Sequence, residues 1–138
     1  MQAIVNSLDE RTMRLSVEEG WSISAVLAHL AFWEHSFLTR CDAFRDQGDF
    51  VMIDADMERF INETSLPLWR SIPGRMAANM ALEAATATTI ATAAMATDLE
   101  NHLTTQRCQA LLDHSQHRNA HLDAIEAVLE RYQVPIAA

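Results

Sequence analysis

Long stretches of this sequence contain nothing that ends a helix. Only three glycines and three prolines occur in 138 residues, whereas a many-turned β fold needs turn residues about every ten positions. The scarcity predicts long helices joined by few loops. Alanine-rich stretches and seven methionines point the same way, because these side chains lose little entropy in a helix.

Apolar periodicity places the helices. A short first helix is expected within Met1 to Ser16, where Ile4, Val5, Leu8 and Leu15 recur at roughly helical spacing; Gly20 breaks it. A second helix follows Ser22, a natural N-cap, and should end near Gln47 and Gly48. Its stripe of Ile23, Val26, Leu27, Leu30, Phe37, Cys41 and Phe44 faces a core. Residues 48–74 read as irregular, with a helical turn or two within Asp54 to Asn62. Pro67 and Pro73 bracket an apolar piece that should pack over one end of the molecule. An Ala/Thr-rich helix is expected over 75–97, carrying Met76, Met80, Leu82, Ile90 and Met95; Thr97 and Asp98 would cap a following turn. Its small side chains would let a neighbour approach closely. The last helix, over 105–132, has Cys108, Leu111, Leu122, Ile125, Val128, Leu129 and Tyr132 on its apolar side, and Pro135 ends it. No repeat or linker interrupts the chain. The expectation is one all-α domain over 1–138, a four-helix bundle of antiparallel type.

Charge narrows the partners. Ten basic against nineteen acidic residues give a formal net charge of -9. Such a surface repels phosphate backbones, and no basic stripe interrupts it, so no nucleic-acid partner is expected. No segment has the unbroken apolar length of a membrane span, and the start, Met1 to Asn6, lacks the basic and apolar regions of a signal peptide. Cytoplasm is the expected compartment. Cys41 and Cys108 lie in no metal-binding or redox spacing and read as reduced, buried thiols.

The histidines carry the chemistry. His117 and His121 stand at i and i+4, the spacing at which one helix face offers two imidazoles to a metal. At about 100° per residue, His114, His117 and His121 project with Ile125, Val128 and Tyr132, so the rings aim inward. His29 lies at the edge of the second helix's apolar stripe, beside Val26 and Trp33. Taken alone, the pair is a weak motif and His29 is a core histidine. Taken together, buried imidazoles need partners, and one divalent cation satisfies several. His29, His117 and His121 are the candidate ligands, with His114 the rival one turn earlier. The second nitrogen of each ring should find a carboxylate, carbonyl or water. His35 and His102 read as exposed. Glu34, between Leu30 and Phe37, is a candidate general base or a carboxylate orienting a ligand; the plainer reading is a boundary side chain reaching water. Trp21, Trp33 and Trp69 line a pocket or simply fill the core. Asn62, Asn79 and Arg118 are polar groups near the interior with no assigned role.

Two segments resemble a known family. Gly20 to Glu34, with Trp21, Ser22, His29, Leu30, Trp33 and Glu34 in order, is similar to the ligand-bearing segment of the DinB/YfiT-like metalloenzyme superfamily. His117 to Ile125 resembles that family's second ligand helix, and the middle stretch resembles the branch related to maleylpyruvate isomerase N-terminal domains. The resemblance covers nearly the whole chain. It implies a four-helix bundle with a tri-histidine site for zinc or nickel, often in a homodimer. It also implies thiol-dependent S-transferase, isomerase or hydrolase chemistry on a small electrophilic substrate, with a low-molecular-weight thiol as cofactor. Ala120 stands where many relatives have Glu, and the additional C-terminal domain of the mycothiol-dependent isomerase is missing; both point away from isomerase activity itself. A non-catalytic metal or small-ligand binding module is the alternative.

Overall fold

The computed structural model describes residues 1–48, 50–102 and 105–136, with side chains described for 1–48, 50–94 and 114–136. It is mainly helical, as the scarcity of chain breakers predicts, and carries one small sheet.

The first helix, α1 (Gln2–Ser7), is shorter than its periodicity suggests. The Asp9 carboxylate accepts from the Thr12 N–H at 2.7 Å, while the Thr12 hydroxyl accepts from the Asp9 N–H at 2.8 Å. This reciprocal pair satisfies the free amides of a new turn and starts a 3-10 segment, Thr12–Arg14. A two-stranded hairpin follows, β1 (Ser16–Glu18) antiparallel to β2 (Trp21–Ser22). Gly20 supplies the positive φ of 81° that the connection requires. The hairpin is not legible in the sequence, since two strands this short leave no alternating pattern.

Helix α2 (Ile23–Gln47) lies where expected, 25 residues long. The Ser22 hydroxyl accepts from the Ala25 N–H at 3.2 Å, and Gly48, with φ 74°, closes the other end in the left-handed conformation. Ile23, Val26, Leu27, Leu30, Phe37 and Cys41 are buried. Burial of Cys41, a free thiol, pushes its pKa up to about 11. The side chain of Cys108 lies outside the described residues.

Residues 48–74 overturn the expectation of irregular chain. Helix α3 (Ala55–Ser71) runs through Pro67 without stopping. Asp54 caps it by accepting from the Met57 N–H at 2.8 Å, and Asp56 and Glu58 put negative charge in its first turn. Trp69, 5% exposed, anchors it in the core.

Helix α4 (Gly74–His102) continues past the break expected at Thr97 and Asp98. It buries Ala77, Ala78, Ala81, Ala85 and Thr88, while Met76, Met80 and Ile90 remain exposed. The opposing α2 buries Ala25, Ala28 and Ala31. Among the described residues, small side chains on both faces let these two helices meet more extensively than any other pair. Helix α5 (Thr105–Arg131) buries Leu122, Ile125, Val128 and Leu129. Tyr132, expected on that apolar side, lies beyond the helix end and is exposed. Helix α2 is the hub, touching α3, α4, α5 and the hairpin. Among the described residues, no helix is long and apolar enough to cross a membrane.

Candidate metal centre

Helices α2 and α5 bring together three imidazoles that are 88 residues apart in sequence at their widest hydrogen-bonding pair. His29 Nε2 lies 3.1 Å from His117 Nε2, which lies 3.2 Å from His121 Nε2. His117 and His121 meet because one helical turn separates them. One ligand nitrogen from each of the three falls within 4.8 Å of the others, the one such group of metal-ligating side chains among the described residues.

Protons alone satisfy these nitrogens poorly. A neutral imidazole nitrogen either donates or accepts, and His117 Nε2 faces two partners at once. Ligand nitrogens about 2.0–2.1 Å from a tetrahedral zinc ion stand roughly 3.3 Å apart. The two measured separations are close to that edge, so the residues present fit a divalent cation.

All three rings are held neutral. Burial, followed by the fields of His121 and His117, pushes the pKa of His29 down to about 3. Burial and His117 push His121 down to about 4, against the opposing fields of Glu18 and Glu58. His117 is lowered by burial and by His114, with Glu34 acting the other way. Neutral rings keep a lone pair available for a metal at physiological pH.

The second nitrogen of His29 departs from expectation. Nδ1 is buried with no hydrogen-bond partner among the described residues. Aromatic rings surround it instead: Trp69, Trp21 and Trp33 have centroids 5.0, 5.3 and 6.3 Å from the His29 ring. The three tryptophans therefore both pack the interior and cage one candidate ligand. Such an orphaned polar atom is rare in a folded interior and marks a place where ordinary hydrogen bonding has been given up.

Glu34 is not a boundary side chain reaching water; it is 1% exposed. Its Oε1 accepts from Arg118 Nε, and Oε2 accepts from Arg118 Nη2 at 2.8 Å and His114 Nε2 at 2.9 Å. Burial alone would raise its pKa, but the bonds from His114 and Arg118 outweigh that and hold it at about 2. A carboxylate so weakly basic, with both oxygens engaged, is poorly suited to abstract a proton at neutral pH. His114, the rival ligand, is absorbed by this cluster and stacks on Phe37 at 4.2 Å. Arg118, to which the sequence assigns no role, is the partner that makes a buried Glu34 tolerable. The signal was its position beside His117, on a helix face that also carries three histidines.

Comparison of the chain with protein-family models, curated proteins and solved structures found no match. The functional reading therefore rests on the geometry and on the sequence segments quoted above.

The trio opens onto a cleft of about 350 Å³. Val17, Glu18 and Trp21 of the hairpin form one wall, Glu58 and Asn62 of α3 a second, and Ala120 and Ala124 of α5 a third. Asn62 is held in place by accepting from Trp33 Nε1 at 2.9 Å; Asn79 is exposed and does not line the cleft. His35 is exposed, as its position predicts, and the side chain of His102 lies outside the described residues.

Proposed function

We propose that this protein is a divalent-metal enzyme on a DinB-like four-helix bundle, transferring a low-molecular-weight thiol to a small electrophile. The observation that carries the reading is the convergence of His29, His117 and His121 Nε2 atoms at metal-ligand spacing on a cleft. Zinc and nickel both suit three imidazoles. A cation held there would supply Lewis acidity, lowering the pKa of a thiol or water beside it and polarising an electrophile. The chain's own residues have simpler tasks. The three neutral rings present lone pairs, the tryptophan cage around His29 excludes water behind them, and Asn62 offers a polar group at the cleft wall.

A non-catalytic metal or small-ligand module is the second reading. What favours it is the engagement of Glu34 by Arg118 and His114, which removes the candidate general base. Homodimerisation through exposed apolar side chains such as Phe60, Leu68 and Ile90, in a cytoplasmic setting compatible with the free thiol of Cys41, belongs to the same proposal.

Elemental analysis of purified protein tests the centre. One divalent ion per chain is expected, and His29→Ala, His117→Ala or His121→Ala should each lose stoichiometric binding. A triple variant that keeps one tightly bound ion refutes the assignment. Turnover of a thiol with an electrophile should be abolished by chelator; metal retention without turnover on a broad panel favours the binding module.

A further inference from the structure

The charge pattern of the cleft is unusual for a site expected to take thiols. Its floor is three neutral imidazoles. Two carboxylates line the more exposed walls: Glu18 from β1 and Glu58 from α3, elements that meet only through tertiary packing. Neither is in an ion pair among the described residues. No lysine or arginine lines this part of the cleft. The basic residue of the adjoining cavity, Arg59, does not line this cleft; it makes an exposed pair with Asp56 at 3.0 Å. Both carboxylates line the same cleft as His29, His117 and His121. Trp21 lines both this cleft and the adjoining cavity, and an indole can receive a cation on its face.

We propose that this cleft selects small molecules carrying an electron-pair donor at one end and an ammonium group a few ångströms away. The donor end sits over the trio, and the positive end lies between Glu18 and Glu58 against Trp21. Anionic molecules of the same size are disfavoured, since two unpaired carboxylates meet them and no cationic side chain compensates. This inference rests on the metal-centre reading for the donor end. The ammonium end depends on Glu18, Glu58 and Trp21, and not on the metal.

The test uses three thiols of similar length: cysteamine, 2-mercaptoethanol and 3-mercaptopropionate. Each is titrated into zinc-loaded and chelator-treated protein. Binding is followed by the indole N–H resonance of Trp21, assigned with Trp21→Phe. Comparison with the Glu18→Gln/Glu58→Gln variant cancels the intrinsic differences between the thiols. Cysteamine should bind wild type more tightly than 3-mercaptopropionate, and the variant should lose about tenfold of that preference, with 2-mercaptoethanol unaffected. An unchanged preference in the variant, or no Trp21 response to any thiol in either form, overturns the proposal. So does loss of zinc from the variant, which would make the carboxylates ligands instead. Wild type that holds no zinc but keeps the carboxylate-dependent preference sinks the metal centre and leaves the charge selection standing.

Discussion

Glu34 shows how much one buried charge can organise. Its carboxylate is out of water, and its cost is met by three hydrogen bonds from Arg118 and His114. Taking one partner away strands the other in a low-dielectric interior. Arg118→Ala should therefore destabilise the protein by about 3–5 kcal/mol in chemical denaturation, far more than an exposed arginine would. The pH dependence has a definite sign. In the folded chain Glu34 titrates at about 2, against 4.5 for an ordinary glutamate. A carboxylate with a depressed pKa stabilises the fold above its unfolded value, and the contribution is lost as pH falls through its folded value. The stability gap between wild type and Glu34→Gln should hold above pH 4.5 and shrink towards pH 2. A gap that stays constant through that window would show that the ionised form is not what matters.

Helix α3 and the hairpin build the cleft walls, and each depends on a local rule being overridden or obeyed. Pro67 removes one backbone donor and crowds the carbonyl four residues back, a cost of about 3 kcal/mol inside a helix. Burial of Trp69 offsets much of it, at roughly 2–3 kcal/mol for a large side chain, and the Asp54 cap adds about 1 kcal/mol. The helix thus survives a residue that normally stops one. Gly20 obeys its rule: with φ at 81°, an added Cβ would be strained, and it would also run into the Arg70 guanidinium. Arg70 Nε donates to the Gly20 carbonyl at 2.7 Å, tying hairpin to α3. Gly20→Ala should cost about 1–2 kcal/mol and loosen the wall that holds Glu18 and Trp21. A thermal melt unchanged from wild type, with unaltered tryptophan fluorescence, would show that this tie does not hold the wall.

At the scale of the whole molecule, the candidate centre bridges the hub helix α2 to the last helix α5. A ligand that binds only the folded arrangement stabilises all of it by mass action. With free zinc about a thousandfold above its dissociation constant, the gain is about 4 kcal/mol, which raises Tm by roughly 10–15 °C in a domain of this size. Calorimetry with zinc and then with chelator measures this, and the triple His→Ala variant should show no shift. The Glu34 cluster ties α2 to α5 one turn from His117, so the axial register of the two helices and the nitrogen spacing are set together.

The sequence by itself determined the helices α2, α4 and α5, because a 3.6-residue period and the entropy of alanine, leucine and methionine are local properties. It also determined that His117 and His121 share a face, since that follows from i, i+4 spacing. It did not determine that α3 crosses Pro67, that Trp21 and Ser22 pair as a strand before α2 begins, or that Glu34 is buried. Those outcomes depend on the Trp69 anchor, the Arg70 tie and the Arg118 ion pair, all contacts between residues far apart in the chain. Which imidazoles come together was likewise open between His114 and its neighbours. The tertiary structure decided that: His114 turns to Glu34, 80 residues away, while His29 arrives from α2 to face His117. Spacing along one helix orients side chains, but only the packing of two helices can say which rings meet.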